Sequence, residues 1–234
     1  MINRPEGFFY IIFLCVYIIF FTNCASGNEK EVNKKVGKKE FSRRVLSYDE
    51  QIAALKRMEP VLPIKDAHIT TFDGQLPNAP RKYRGGFHEG FDFYNGFCGV
   101  RIEKGTPVLA IADGEVVRAD TNYTEIEAEK RKMLLKEAHS LGFTPDSTLD
   151  ILRGRQVWLD HGSGIVTRYC HLSAIPAGLK GKVRKGDVLG FVGGSGTKSK
   201  VPHLHFEIRL GKDFLEKNKT PSEIREIMKE IFKK

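Results

Sequence analysis

Apolar and polar positions divide this chain into stretches of different period. Residues 8–21 form an uninterrupted apolar run that follows Arg4. Its fourteen residues are fewer than the ~20 that span a bilayer as a helix; the length and charged start are those of a signal-peptide core. Residues 25–45 are polar and aperiodic, with seven Lys/Arg against three Asp/Glu. They read as a solvated tether, with attraction to anionic lipid heads as the other reading. Residues 47–59 carry a helical pattern. Ser47 and Glu50 have capping-box spacing, Ile52, Ala53 and Leu55 follow, and Pro60 stops the helix.

From residue 61 to about 120 the pattern becomes one of strands and turns. Gly105-Thr106-Pro107 leads into an apolar strand, and Asp113-Gly114 turns it into another. Residues 122–153 interrupt this regime. Thr124 and Glu127 have capping-box spacing, and Ile126, Met133, Leu134, Leu135, Ala138 and Leu141 make a helical apolar stripe. Gly142 is placed as a C-cap, and Thr144-Pro145 opens a second short helix that ends near Gly154. The segment predicts a helical hairpin inserted into a β domain. Strands resume at Gln156-Val157-Trp158-Leu159-Asp160, return over residues 165–172, and form a second unit over residues 183–210. Thr220, Pro221 and Glu223 open a short amphipathic C-terminal helix at N-cap, N1 and N3. A faint repeat relates Lys104-Gly105-Thr106-Pro107-Val108-Leu109 to Lys185-Gly186-Asp187-Val188-Leu189, which suggests two similar β units.

The chain of 234 residues carries a formal charge of +9. That length suits one domain with appendages, and the charge points to an anionic partner, whether nucleic acid, membrane surface or acidic polymer. The apolar run ends at Thr22-Asn23-Cys24-Ala25-Ser26, where Cys24 resembles the lipid-attachment site of bacterial lipoproteins, although Asn23 stands where a small residue is usual. An uncleaved anchor and a plain secretory signal are the alternatives. All three place the remainder outside the cytoplasm, facing the periplasm or the cell exterior, and this argues against a nucleic-acid partner. Cys98 and Cys170 remain in the folded part. They form no CxxC pair, and either a disulfide or two free buried thiols would fit.

Candidate chemistry lies in three segments. In Phe87-His88-Glu89-Gly90-Phe91-Asp92-Phe93, a strand would put His88 and Asp92 on one face and the phenylalanines in the core, with Gly90 leaving room for an ion. In Pro202-His203-Leu204-His205-Phe206-Glu207-Ile208, His203, His205 and Glu207 share a face. In Arg168-Tyr169-Cys170-His171-Leu172, His171 ends a strand and faces the same way as Tyr169. A catalytic zinc takes three N or O protein ligands plus a water. The assignment is His88, Asp92 and His205 as zinc ligands, with His171 and His203 beside the bound water as proton acceptor or oxyanion stabiliser. Other first-row ions would also suit such ligands. His68, His139 and His161 read as ordinary surface or core residues, though His161 in its Asp-His-Gly turn is placed to support the site.

Taken together these segments resemble the lysostaphin/LytM family of zinc peptidases. The matching motifs are His88-Glu89-Gly90-Phe91-Asp92, Tyr169-Cys170-His171-Leu172 and Pro202-His203-Leu204-His205-Phe206-Glu207, supported by Gly105-Thr106-Pro107-Val108, Asp113-Gly114 and Leu159-Asp160-His161-Gly162. The resemblance covers about residues 84–210. It implies a mainly β fold, a duplicated-hybrid-motif β-sandwich, here with an inserted helical hairpin and short flanking helices. It also implies zinc on His88, Asp92 and His205, catalytic His171 and His203, and endopeptidase action on peptidoglycan peptides. The chain departs from the family pattern in a longer stretch between Asp92 and Gly105, which contains Cys98, and in the 122–153 hairpin. Both are expected near walls of the groove, as lid, partner site or tolerated insertion.

The expected organisation is a signal peptide over 1–23, a tether and short helix over 24–60, a metallopeptidase domain over 61–212 and a C-terminal helix over 213–234, acting as a monomer. Two other functions compete with an active cell-wall endopeptidase. One is a non-catalytic LytM-like regulator of another wall hydrolase, which loss of ligands would mark. The other is a surface-binding lipoprotein whose zinc is structural, which a closed four-ligand site would mark.

Overall fold

Residues 157–160 and 165–169 alternate between buried and half-buried positions, as strands covered fully on one face do, whereas residues 203–208 are buried throughout; these three segments pair in antiparallel ladders. The computed structural model describes residues 46–233. The signal-peptide run, Cys24 and the charged tether lie outside the described residues. In chain order the first elements are α1 (Tyr48–Arg57), β1 (Pro80–Arg81), β2 (Gly86–Phe87), β3 (Phe91–Tyr94), β4 (Pro107–Leu109), β5 (Gly114–Ala119), α2 (Ala128–Leu141) and α3 (Asp146–Leu152). They are followed by β6 (Val157–Asp160), β7 (Ile165–Cys170), β8 (Gly181–Val183), β9 (Val188–Phe191), β10 (His203–Leu210), β11 (Asp213–Phe214) and α4 (Pro221–Ile231). The fold is mainly β, with a large antiparallel sheet and a few helices.

A seven-stranded sheet runs β11-β10-β7-β6-β5-β8, with β3 also on β10. At eight residues, β10 is long enough to hold β7 along one edge and to share the other between β3 and β11. The two segments of the Lys-Gly repeat become β4 and β9, and they pair with each other, Val108 opposite Gly190. Phe91, Phe93, Leu159, Ile165, Tyr169, Phe206 and Ile208 join Val108 and Leu189 in one buried cluster. Each such side chain contributes roughly 1.5–3 kcal/mol by leaving water. α1 and α4 contact each other, and Leu55, Ile224, Met228 and Ile231 extend the same core. Both helices start with a complete capping box, Ser47 with Glu50 and Thr220 with Glu223.

Several expectations are corrected. The Thr124–Glu127 capping box does not form. α2 begins at Ala128, and Glu127 makes no side-chain cap. Glu125 instead accepts from Gly196 N at 3.1 Å and pairs with Lys200 at 2.6 Å, which holds the approach to the helix on a distant loop. The apolar stripe of α2 is not core: only Ala138 is buried, and Met133 is 71% exposed. Gly142 does cap the helix, at φ 71°. Phe87 is 62% exposed rather than buried, because β2 ends there and the chain turns before β3. Gly90 is required for a different reason than expected. A Cβ there would lie 2.3 Å from the Phe206 carbonyl oxygen, so the glycine lets the backbone cross β10 closely. Cys98 and Cys170 are two separate buried thiols.

Candidate metal centre

The register of β3 on β10 places Asp92 opposite His205. His88 precedes β3, and its backbone is fixed by two hydrogen bonds, Asn78 N to its carbonyl at 2.8 Å and its own N–H to Ala79 O at 2.9 Å. The close crossing at Gly90 then brings His88 over the same face. Three atoms converge: His88 Nε2 and Asp92 Oδ1 lie 3.0 Å apart, and His205 Nδ1 lies 2.9 Å from each. All three residues are buried.

The opposite end of each side chain is held as well. His88 Nδ1 donates to Leu76 O at 3.0 Å, Asp92 Oδ2 accepts from Arg81 at 3.2 Å, and His205 Nε2 donates to Glu207 Oε1 at 3.0 Å. This network assigns the tautomers. With their outer nitrogens protonated, the imidazoles turn two bare nitrogens and one carboxylate oxygen toward a single point. Three lone-pair donors there repel unless a proton or a metal ion lies between them, and the group could hold a metal ion. Two imidazole nitrogens and one carboxylate oxygen are the N/O set of an open catalytic zinc site, so the residues fit such an ion. Electrostatics show that a proton competes with a cation for His205 Nδ1. Burial opposes a charge on Asp92, yet His88 and His205 hold its carboxyl well below the usual range. Burial also opposes a charge on His205, but the Asp92 and Glu207 carboxylates outweigh it and push the imidazole up to about 9. Burial lowers His88.

His171 and His203 stand beside this cluster, with ring centroids 4.7 Å apart and His171 5.6 Å from His205. His171 reaches it by a route that strand parity misses. β7 ends at Cys170, and His171 has φ 63° in the left-handed region, so its side chain leaves the Tyr169 face and joins the groove. Tyr169 stays in the core, its hydroxyl accepting from Ile111 N at 3.1 Å. His171 Nδ1 donates to Ser195 O at 2.8 Å, and His203 Nδ1 to Val201 O at 2.9 Å. Both therefore keep Nε2 as the unprotonated nitrogen. Burial lowers both pKa values, that of His171 strongly. Tyr94 stacks on His203 at 4.1 Å and 8°, fixing its ring plane.

The five residues open onto a groove of about 920 Å³. One wall carries Arg81, Tyr83 and Arg84, another Thr197, Lys198 and Ser199, and the inserted hairpin supplies Arg131, Leu135, Leu149 and Leu152. The longer 93–104 stretch contributes only Tyr94 to the lining; Cys98 lies in the core instead, where His68 N binds its carbonyl at 2.9 Å. His161 is not part of the groove. It braces the Asp113 turn to β7, with Nδ1 2.7 Å from Asp113 O and Nε2 2.8 Å from Thr167 Oγ1. His139 and His68 bond backbone carbonyls elsewhere. Sequence reasoning gave no role to Arg81, Arg153 or Glu207. Parity placed Glu207 beside His205, but its partner Arg153 lies 54 residues away and leaves no local signal.

Residues 144–218 match the family model described as Peptidase family M23. The match includes His171, His203 and His205, while His88 and Asp92 lie upstream of it. The DD-carboxypeptidase/endopeptidase Mpg of Neisseria meningitidis is 47% identical over 57 residues, 24% of this chain and 13% of that protein. The cell division protein DipM of Caulobacter vibrioides is 30% identical over 120 residues, 51% of this chain and 15% of that protein. The solved structure of the antimicrobial peptidase lysostaphin from Staphylococcus simulans is 22% identical, with a TM-score of 0.41 over 72% of this chain and 54% of that one. The matched region is thus a small part of the length of these curated relatives.

Proposed function

We propose that this chain, whose residues 144–218 match Peptidase family M23, is an exported zinc metallopeptidase hydrolysing peptide bonds of peptidoglycan. The observation that carries this reading is the convergence of His88 Nε2, Asp92 Oδ1 and His205 Nδ1 at 2.9–3.0 Å, with two further histidines beside them. His88, Asp92 and His205 would hold the zinc. When bound, it supplies a Lewis acid that polarises a peptide carbonyl and acidifies water near neutral pH. His171 and His203 supply the proton chemistry. Each ties its Nδ1–H to a backbone carbonyl, and burial keeps each neutral, so Nε2 takes the proton of the attacking water and returns it to the leaving nitrogen. A protonated Nε2 also steadies the oxyanion of the addition step. Arg81 holds Asp92 by its second oxygen and leaves the first for the metal.

The basic balance of the chain, +9, suits an anionic wall polymer. Export and membrane attachment through Cys24 belong to the same proposal; Cys24→Ser is expected to move the protein from the detergent to the aqueous phase on partition. The full chain and His203→Ala, incubated with purified peptidoglycan and zinc, test the peptidase reading. New peptide termini from the wild type alone, read by mass spectrometry, support it and identify the bond. No cleavage by a wild type that binds one zinc would sink constitutive catalysis and favour a regulatory module.

A further inference from the structure

The inserted hairpin does more than wall the groove. Its second helix runs into Arg153, a residue only 7% exposed. Arg153 Nε donates to Glu207 Oε1 at 2.6 Å. The same oxygen accepts from His205 Nε2 at 3.0 Å. Glu207 is fully buried, and its other oxygen is approached only at 3.4 Å by Arg168 and by Arg209. Arg153 is therefore the close partner of this carboxylate, and Oε1 joins the hairpin to a residue of the candidate metal centre. The Arg153 backbone acts on a second one, since its carbonyl accepts from His171 N at 2.9 Å. Gly154 follows at φ 66°, packed so tightly that a Cβ would lie 2.4 Å from the Ser195 carbonyl carbon. Ser195 O is in turn the acceptor that fixes His171 Nδ1.

A histidine that binds a metal through one nitrogen is oriented by what holds the other. Loss of that outer partner typically costs 10–100-fold in metal affinity. A carboxylate can serve only if it is itself held, and a buried carboxylate without a close cation either swings or is neutralised. We propose that Arg153 is a positioning residue for His205, acting through Glu207, so that docking of the 122–153 hairpin is part of building the metal site. This inference rests on the reading of His88, Asp92 and His205 as metal ligands. The alternative is that Arg153 merely neutralises a buried charge. In that case its loss would lower stability and leave the affinity of the folded protein for metal unchanged.

The test is zinc affinity of the full chain, measured by competition with a chelator on protein shown by circular dichroism to be folded. Arg153→Ala is expected to bind zinc about 10–100-fold more weakly than wild type, and Arg153→Lys to recover part of the loss. Thr144→Ala is the control. It removes the Thr144–Arg84 contact at 2.8 Å on the far side of the hairpin and leaves Arg153 in place; its affinity is expected to stay within about twofold of wild type. Wild-type affinity in Arg153→Ala overturns the positioning role alone, as does an equal loss in Thr144→Ala. A wild type that binds no zinc sinks the metal reading itself. Should Arg153→Ala not fold, Arg153→Lys decides, since it keeps the charge while losing the Nε contact to Glu207 Oε1: zinc binding weaker than wild type supports the role, and wild-type affinity overturns it.

Discussion

Two single residues show how tightly the backbone and charges of this molecule are fixed. Gly90 lies where the chain crosses β10, and an added Cβ would meet the Phe206 carbonyl oxygen at 2.3 Å. A backbone carbonyl cannot step aside as the end of a side chain can. Gly90→Ala is expected to cost about 3 kcal/mol in a denaturant titration, the upper end of overpacking costs. An unchanged midpoint would show that β3 can shift freely on β10. Glu216 is the opposite case, a fully buried carboxyl whose oxygens bond no other residue. Burial pushes it up from 4.5 to about 8. Below pH 4.5 the carboxyl is protonated whether the chain is folded or not, so its contribution is intact there. As pH rises from 4.5 toward 8 the unfolded chain loses the proton first, and stability falls. Glu216→Gln lacks this dependence. The stability of wild type relative to the variant should therefore drop by a few kcal/mol across that window and level off above it. Parallel pH profiles would refute the assignment. Neither feature was legible in the sequence, because Gly90 answers to a carbonyl 116 positions away and Glu216 to surroundings made by several elements. Parity did bring His88, Asp92, His203 and His205 to notice, since alternation along a strand is a local property. It misplaced the direction of His171, where a single left-handed residue breaks the alternation.

At the level of elements, the legible features are those with local partners. The capping boxes of α1 and α4 close over three residues, and both form as their spacing predicts. The same spacing at Thr124 and Glu127 fails because Glu125 has a better offer, the Gly196 N–H and the Lys200 ammonium on the loop that forms a groove wall. Arg131 of α2 bonds Gly196 O from the same side. The hairpin also grips the opposite wall, where Thr144 accepts from Arg84 at 2.8 Å and His139 bonds Lys82 O at 3.2 Å. It therefore spans the groove from wall to wall, and its apolar side chains, such as Leu135, serve the groove rather than the core. Glu125→Ala should loosen the 194–200 loop while leaving the β sheet intact. Hydrogen exchange of the backbone amides there is the measurement, and roughly a tenfold faster exchange at Gly196, equivalent to about 1.4 kcal/mol, is expected. Exchange unchanged from wild type would mean that the loop is held by its own turns.

At the scale of the whole molecule, the candidate centre ties together parts of the chain that are far apart. His88 and His205 are separated by 117 residues, and the Peptidase family M23 match at 144–218 contains only the second of them. The upstream arm that carries His88 and Asp92 meets β10 through the four residue pairs of β3, and His88 is tied by backbone bonds to residues 78 and 79 of the same arm. Three lone-pair donors pressed within 3.0 Å of one another repel unless a proton or a metal ion sits between them. Zinc that binds the folded state alone adds RT ln(1 + [Zn]/Kd), about 2.7 kcal/mol at a hundredfold excess over Kd. For a domain of this size that raises the unfolding midpoint by roughly 5–10 °C. Chelation should reverse the shift, and the gain in amide exchange should concentrate in residues 76–94 and the start of β10, where the ion would join the two arms. A uniform change across the sheet would instead describe a metal that stabilises from the surface. An unchanged midpoint would mean that His205, charged between Asp92 and Glu207, already supplies the positive charge these donors need.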